Sequence, residues 1–146
     1  MQAEATFQGR LPAFTEVRAW AEAFGAAVGT DRGAVLRLVL VLEELFTNTA
    51  AHGYGGAGGP IWVTLASRAG SIEVTYEDAA PEFDPFTPAP VAPARRTPEE
   101  APPGGLGLAL VRGLSVSARY ARVDDRNRIT LTLPPEDPRP APPVTG

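Results

Sequence analysis

The sequence predicts a two-layer α/β sandwich, in which a mixed, mostly antiparallel sheet is covered on one face by helices. The first reason is the order of its periodic segments, which is strand, two helices, two strands, one helix and two strands. That order lacks the strict alternation of strand and helix that a doubly wound parallel sheet requires. The second reason is size and composition, since 146 residues with 44% hydrophobic content suffice for one domain with a sizeable core.

The first strand and the first helix follow each other directly. Residues 5–11 alternate loosely between apolar and polar side chains, which predicts an edge strand. Pro12 then begins a helix, because apolar residues recur after it at helical spacing. Gly25 or Gly29 ends this helix, since glycine is common just past a helix C-terminus.

The second helix leads into a hairpin. Asp31 is a suitable N-cap, and Gly53 is the stop signal of a helix that continues to about His52. Residues 61–66 and 72–76 then alternate between apolar and polar side chains, as strands with one buried face do. The SRAGS segment between them contains a glycine and predicts the turn of a β-hairpin.

A change of composition follows the hairpin. Residues 81–103 are dominated by proline and alanine without usable periodicity, which predicts a long mobile loop that serves as a lid. The elements beyond this loop are one helix and two strands, predicted over residues 106–114, 119–123 and 128–133. The domain therefore spans residues 1–133, and the proline-rich tail 134–146 is expected to be disordered.

The composition excludes several kinds of chemistry. The chain has no cysteine and a single histidine, which excludes thiol catalysis, disulfides and histidine-rich metal sites. All 13 basic residues are arginines, so the phosphate-binding lysine of a P-loop and any Schiff-base lysine are absent. The net charge of −4 argues against direct nucleic-acid binding. No signal peptide or membrane-spanning run is visible, and we expect a cytoplasmic protein without membrane contact.

Two polar side chains stand out in the apolar second helix. Glu44 and Asn48 are four residues apart and therefore project from the same helical face. No basic residue lies three or four positions from Glu44, so a helix salt bridge does not explain it, although a solvated face would. An acid beside an amide also suits an oxygen site for Mg²⁺ with a proton acceptor next to it. The single histidine, His52, is interpreted as a helix C-terminal residue.

An aspartate closes the second strand of the predicted hairpin. Asp78 directly precedes the lid, and its ionised carboxylate can only accept hydrogen bonds. Such an acceptor suits the exocyclic amino group of adenine and repels the carbonyl group that guanine presents there. An ordinary turn aspartate is the alternative interpretation, and it is the commoner case for an isolated aspartate.

A group of glycines stands at the start of the third helix. In PPGGLGLALVR, residues 102–112, they allow backbone N–H groups to approach phosphate oxygens, and the helix dipole favours that negative charge. The segment is neither a P-loop nor a dinucleotide fingerprint, because a proline-rich loop precedes it and Leu110 occupies the third glycine position. A plain loop-to-helix junction is the alternative interpretation.

The three segments occur in an order that resembles a known superfamily. The order is the helical segment EELFTN, the strand-end segment DAAPEFDP, the lid and the segment GGLGLALVR. Together they closely resemble the histidine-kinase-like ATPase superfamily, and within it the small anti-sigma-factor serine/threonine kinases. The closing segment RYARVDDRNRITLTL is similar to the last strands of that subfamily, and the resemblance covers about residues 5–133.

The resemblance implies a role for each segment. Glu44 would be the general base, Asn48 the Mg²⁺ ligand and Asp78 the adenine contact. Ala80 would border the nucleotide, and the glycine segment with its backbone would hold the phosphates. The members of that segment implied in nucleotide binding are Gly104, Gly105, Leu106, Gly107 and Leu108.

Two positions depart from the family pattern. Ala80 stands where the family usually has glycine, and its methyl group is expected to crowd the nucleotide and weaken its binding. Val116 replaces an acidic residue that is common in the middle of the last helix of the family. We expect this second difference to affect a surface for a partner protein.

The function implied is that of an ATP-binding anti-sigma factor, with ATP and Mg²⁺ as cofactors. It would sequester a sigma factor and phosphorylate a serine or threonine of an anti-sigma antagonist, and a homodimer is expected. The alternative is a nucleotide-gated protein-binding module without phosphotransfer, which Ala80 favours and the Glu44–Asn48 pair disfavours. A detached catalytic domain of a two-component sensor fits less well, because no helix pair with a phosphoacceptor histidine is visible in the sequence.

Overall fold

The structure, a computed structural model, describes residues 1–86 and 105–135, with only the backbone of residues 105 and 106. Its strands are β1 (Gln2–Gln8), β2 (Pro60–Arg68), β3 (Ser71–Asp78), β4 (Ser117–Val123) and β5 (Arg126–Leu133). Its α-helices are α1 (Phe14–Val28), α2 (Arg32–Asn48) and α3 (Gly105–Leu114). A 3-10 turn at Leu11–Ala13 precedes α1, and a π-helical turn at Thr49–Gly53 follows α2. The predicted lid from residue 87 onward and the predicted tail from residue 136 onward lie outside the described residues.

The five strands form one sheet in the order β1-β2-β3-β5-β4. Buried side chains alternate with partly exposed ones along β3 and β5, and the buried ones pack against the helices in a single core. The predicted two-layer α/β sandwich is thus confirmed. Each pair of neighbouring strands in the described chain is antiparallel, so the sheet is more uniform than the mixed one expected. The helices α1 and α2 return the chain to the end of the sheet where β1 stops. Gln8, the last residue of β1, therefore pairs with Pro60, the first residue of β2, and the two strands are antiparallel.

Glycines determine how α1 ends and how closely α2 approaches it. Gly29 has a φ of 72° and caps α1 in the left-handed conformation, so it is this glycine that ends the helix. Gly25 is buried inside α1, and a Cβ built on it would lie 2.5 Å from Cγ2 of Val35 on α2. Its missing side chain therefore lets the two helices pack closely. Pro12 lies in the 3-10 turn, so α1 begins two residues later than the sequence predicts.

The predicted bounds of the second helix are confirmed, with one change in its last turn. Oδ1 of Asp31 accepts the N–H of Ala34 at 2.8 Å, as expected for an N-cap. The α-helix itself ends at Asn48, and the helical segment continues to Gly53 as a π-helical turn that the sequence does not predict. At 17 residues α2 is the longest described helix, and no helix in the described part of the chain is long and apolar enough to cross a membrane.

Both β-hairpins turn through residues with positive φ. Ala69 and Gly70, with φ of 51° and 85°, connect β2 to β3 as predicted. Asp124 and Asp125, with φ of 51° and 61°, connect β4 to β5. Positive φ at both central residues is typical of the type I′ turn, whose twist matches that of the flanking strands. Aspartate and glycine tolerate this conformation better than other residues do.

Val116 lies after the last helix and not inside it. The helix α3 ends at Leu114, and the N–H of Val116 already donates to the carbonyl oxygen of Thr132 at 2.8 Å. The assignment of Val116 to the middle of the helix is therefore wrong. Its side chain is 70% exposed.

The N-cap of α2 makes a testable contribution to stability. Asp31→Ala removes the acceptor for the N–H of Ala34, and we expect it to lower the free energy of unfolding by about 1 kcal/mol. Asp31→Asn keeps a capping oxygen and should retain most of the stability. Urea unfolding of the three proteins at one pH measures the difference. If both variants lose the same free energy, the charge and not the cap stabilises the helix.

Candidate functional site

A cavity of ≈250 Å³ opens where α2 and the π-helical turn meet the adjoining ends of β3 and β5. Three residues that the sequence predicted for one site, Asn48, Asp78 and Ala80, line it together. The volume is slightly below the roughly 300–1,000 Å³ of most small-molecule pockets, so it has room for a base-sized group. Other lining residues are Thr49, His52, Gly53, Tyr76, Phe83 and Asn127.

A second depression, of ≈510 Å³, lies between α1 and α2. It is larger but is lined by none of the residues that the sequence predicted for a site. Two of its charged side chains, Arg18 and Glu22, form an exposed ion pair with each other at 3.3 Å. A binding site is better indicated by polar groups that converge on one cavity, so the smaller cavity is the candidate.

The carboxylate of Asp78 is 7% exposed and accepts three hydrogen bonds. Oγ1 of Thr49 donates to Oδ2 at 2.8 Å, and Nδ2 of Asn127 donates to Oδ1 at 2.8 Å. The N–H of Ala80 also donates to Oδ1, at 3.1 Å. Such bonds offset the cost of burying a charged group. A carboxylate offers about four acceptor positions, so Oδ1 is fully used while Oδ2 keeps one position for a ligand.

Tyr76 determines the direction in which Thr49 donates its proton. The Tyr76 hydroxyl lies 2.8 Å from Oγ1 of Thr49, and both hydroxyl oxygens lie 3.1 Å from the carbonyl oxygen of Leu45. Burial raises the pKa of Tyr76 well above its ordinary value, so the phenol keeps its proton and remains a donor. Since Thr49 can accept from Tyr76, its own proton is available to Asp78.

Asn48 lines the cavity and has a buried side-chain oxygen without a partner among the described residues. It is the last residue of α2, directly before the π-helical turn, and such turns often occur at functional sites. Its Oδ1 is buried and has no hydrogen-bond partner among the described residues. Buried polar atoms without a partner are rare, and a neutral oxygen is a suitable ligand for Mg²⁺. The residues present therefore fit a magnesium ion bound through Asn48.

Glu44 lies one helical turn before Asn48 and reaches the start of α3. Its carboxylate is in contact with Gly107, where a Cβ would lie 2.8 Å from Cδ of Glu44. Any side chain at position 107 would therefore displace the carboxylate. The first N–H groups of a helix have no acceptor within that helix, and its dipole favours negative charge there. Glu44 thus lies at the positive end of α3.

The other predicted residues of the glycine segment are only partly described. Gly105 is the first residue of α3, whereas Gly104 lies outside the described residues. Only the backbone of Leu106 is described. The side chain of Leu108 is buried in the hydrophobic core, so it could contact a nucleotide only through its backbone.

Ala80 is accommodated by a glycine on the opposite wall. It is 3% exposed, and its Cβ lies 3.0 Å from the position of a Cβ built on Gly53. The methyl group therefore fits because Gly53 has no side chain. Ala80 also lines the cavity, so the crowding of a nucleotide by its methyl group stays a prediction.

The chain around the end of β3 is held from two sides. The hydroxyl of Tyr54 donates to the carbonyl oxygen of Pro60 at 2.5 Å and accepts the N–H of Ala79 at 2.8 Å. Burial raises the pKa of Tyr54, which keeps the phenol protonated for this donation. On the other side, the guanidinium of Arg112 on α3 lies 5.9 Å from the ring centre of Phe86. The segment from Ala79 to Phe86, which includes the first residues of the predicted lid, is therefore attached to both layers.

Thr49 and Asn127 line the cavity but are not among the site residues predicted from the sequence. Asn127 could have been found, because it takes the first inward position of β5, where the later inward residues are apolar. A polar residue at an inward strand position requires a partner. Its partner Asp78 stands opposite it in the register of β3 and β5. Thr49 gave no such signal, since hydroxyl residues are common near helix ends.

The arrangement can therefore bind three chemical groups. Oδ2 of Asp78 can accept a hydrogen bond from a donor such as an amino group, and Oδ1 of Asn48 can bind a cation. Phosphate groups can bind at the start of α3, beside the carboxylate of Glu44, because anions bind readily at a helix N-terminus. A base, a metal ion and phosphate groups together describe a nucleotide.

Two known proteins are similar to this chain. A serine/threonine-protein kinase from Bordetella bronchiseptica, BtrW, is 32% identical over 96 residues, which are 65% of this chain and 67% of that protein. A crystal structure of the RsbU and RsbW domains of a Mycobacterium tuberculosis protein superposes with a TM-score of 0.64. That match covers 92% of this chain at 21% identity, which shows the fold alone, and the chain spans 32% of the matched one.

A family pattern matches almost the whole predicted domain of this chain. The pattern of the histidine kinase-like ATPase domain matches residues 7–133, which include the last two residues of β1, the strands β2 to β5 and the three described α-helices. The predicted superfamily is thereby confirmed, and the chain belongs to the family of histidine kinase-like ATPase domains.

Proposed function

We propose that this chain is an ATP-dependent protein serine/threonine kinase that sequesters a sigma factor and phosphorylates the antagonist of that interaction. The observation that carries the proposal is the placement of three side chains. Asp78 at the end of β3 and Asn48 at the end of α2 line the same cavity. Glu44, one turn earlier on α2, contacts the start of α3. Membership of the ATPase family supports ATP binding. The similarity to a protein named a serine/threonine-protein kinase supports phosphoryl transfer.

ATP would lie with its base in the cavity and its phosphates toward α3. The amino group of adenine would donate to the remaining acceptor position on Oδ2 of Asp78, where guanine would present a carbonyl oxygen. The phosphates would accept from N–H groups in the first turn of α3, which have no acceptor within the helix itself. Asn48 would hold Mg²⁺ together with phosphate oxygens, and the ion would supply charge neutralisation at the phosphates.

Glu44 would accept the proton of the attacking hydroxyl group. A serine or threonine hydroxyl is a weak nucleophile at neutral pH and requires an adjacent base. As its oxygen bonds to the γ-phosphorus, the bond between that phosphorus and the β–γ bridging oxygen breaks and ADP leaves. The hydroxyl proton passes to the carboxylate of Glu44, which lies beside the first turn of α3.

The proposed partners are a sigma factor, its anti-sigma antagonist and a second copy of the chain, in the cytoplasm. They follow from the resemblance of the three segments to the anti-sigma-factor kinases. The fold similarity to a structure that contains an RsbW domain is consistent with them. No direct role in nucleic-acid binding is proposed, since the net charge is −4.

A nucleotide-gated binding module without phosphotransfer is the second candidate function. The observation that favours it is Ala80, whose methyl group borders the cavity where the family usually has glycine. Both candidates need Asp78 and Asn48 to bind the nucleotide. They differ at Glu44, which only the kinase requires as a base.

Asp78 should make the protein select ATP over GTP. Asp78→Asn replaces one carboxylate oxygen by an NH₂ group, which can turn a donor toward the amino group of adenine. We expect ATP binding to weaken by about 1.5–3 kcal/mol, the usual value of a hydrogen bond to a charged group. Calorimetric titration of both proteins with ATP and GTP measures the change. Equal affinity of the wild type for the two nucleotides would contradict the assignment.

Glu44 should be needed for transfer but not for ATP binding. Glu44→Gln keeps the shape of the side chain and removes its basicity, so phosphate transfer should slow by about 10²–10⁴-fold. Asn48→Ala is the matched comparison on the same helical face, and it should weaken binding of Mg-ATP itself. Intact-mass measurement of antagonist proteins encoded near its gene, after incubation with Mg-ATP, detects the transferred phosphate.

The same experiment separates the two candidate functions. If the wild type binds an antagonist but transfers no phosphate to it, the binding module replaces the kinase. If Glu44→Gln transfers phosphate at the wild-type rate, another group accepts the proton.

Gly107 should be needed to keep Glu44 in place. Gly107→Ala puts a methyl group where the Glu44 carboxylate lies, and a shift of about 1 Å in a catalytic group can slow a reaction by about 10²-fold. Gly113→Ala is the control on the same helix, because a Cβ there meets no atom within 4 Å. We expect the control to transfer phosphate normally. Equal transfer rates for the two variants would show that the Glu44–Gly107 contact has no role in catalysis.

A further inference from the structure

Asn127 connects the carboxylate of Asp78 to the segment that follows β3. It is 5% exposed and stands opposite Asp78 in the pairing of β3 with β5. Its Nδ2 donates to Oδ1 of Asp78 at 2.8 Å and to the carbonyl oxygen of Pro81 at 3.0 Å. The carbonyl oxygen of Ala80 lies 3.3 Å from the same nitrogen. Both N–H bonds of the amide are thus used.

The oxygen of the same amide is surrounded by donors. Oδ1 of Asn127 accepts from the hydroxyl of Tyr120 at 2.6 Å, and from Nη1 of Arg122 and the N–H of Phe83 at 3.1 Å each. Burial, with the negative charge of Glu82, raises the pKa of Tyr120, so its phenol remains a donor. A reversed amide would face these donors with its own NH₂ group. The orientation of the amide is therefore determined by its neighbours.

This orientation limits how the Asp78 carboxylate can turn. Asn127 and the N–H of Ala80 together occupy Oδ1, while Thr49 occupies one position on Oδ2. Rotation of the carboxylate would break at least one of these bonds. The remaining acceptor position on Oδ2 therefore has a fixed direction, and base selection requires such a direction. Adenine and guanine differ at this point only in whether they donate or accept.

We propose that Asn127 is a positioning residue for base recognition, which orients the Asp78 carboxylate so that the cavity distinguishes adenine from guanine. The inference rests on the proposed nucleotide site and goes beyond it, because it assigns base selectivity to a residue that need not touch the base. Arg122 supports the same arrangement from β4, since its Nη1 also donates to the carbonyl oxygen of Ala80 at 2.9 Å.

The test is the ratio of the Kd values for GTP and ATP, measured by calorimetry on the full chain. Asn127→Asp keeps the shape and the oxygen that faces Tyr120 and Arg122, but it places a carboxylate oxygen against Oδ1 of Asp78. We expect the ratio to fall roughly tenfold, the effect of one lost hydrogen bond to a charged group.

Two further variants separate positioning from stability. Asn127→Ser shortens the side chain and should also lower the ratio. It also serves as the test if Asn127→Asp does not fold. Leu131→Ala is the matched control, because Leu131 is fully buried on the same face of β5 and its truncation should lower the melting temperature without changing the ratio.

The outcomes are distinguishable. A wild-type ratio in both Asn127 variants, or an equal loss of selectivity in Leu131→Ala, would show that Asn127 only supports the fold. A wild type that binds ATP and GTP equally, or neither of them, contradicts the proposed function and this inference with it.

Discussion

Asp78 carries a buried carboxylate that accepts hydrogen bonds from three separate parts of the chain. Its donors are a hydroxyl just after α2, an amide on β5 and the N–H of Ala80 in the segment after β3. A buried charge without such partners costs several kcal/mol, so this carboxylate is compatible with the fold only when all three parts are in place. The sheet register, the π-helical turn and the loop are thus linked to each other through one side chain. The cavity forms as part of the fold.

The register of the two central strands follows from the same requirement. Asp78 and Asn127 stand opposite each other, and both face the helical layer. A slip of one residue would turn either side chain to the other face of the sheet and would leave its partner buried without a hydrogen bond. Apolar pairs further along the strands, such as Val74 with Leu131, require the same register. Hydrophobic packing and polar pairing therefore select one arrangement.

The functional groups of the site are those that the protein leaves unsatisfied. Most buried polar atoms in proteins have a partner, and here Asp78, Thr49 and Asn127 satisfy one another. Oδ1 of Asn48 has no partner among the described residues, and Oδ2 of Asp78 keeps one open position. These groups suit nucleotide binding whether or not a phosphate is transferred. The proposed kinase and the alternative binding module therefore differ at Glu44, which is not one of the residues that line the cavity.

Close approaches of side chains explain two glycines around the site. The carboxylate of Glu44 lies against Gly107, and the methyl group of Ala80 lies against Gly53. In both pairs one partner belongs to α2 or its π-helical turn, and the other lies far away in the sequence. The sequence predicts a helix stop at Gly53 and nucleotide binding at Gly107, whereas these close contacts are visible only when the neighbouring side chain is known.

Local patterns in the chain were sufficient for the fold class, the eight main elements and the first residues of the site. Period-two alternation marks the strands, the N-cap marks the start of α2, and the spacing of Glu44 and Asn48 places them on one helical face. These features depend on residues that are near each other in sequence. The bond between Asp78 and Asn127 spans 49 positions, so no local pattern contains it. The π-helical turn and the Glu44–Gly107 contact could not be predicted either, because they arise from how the layers pack against each other.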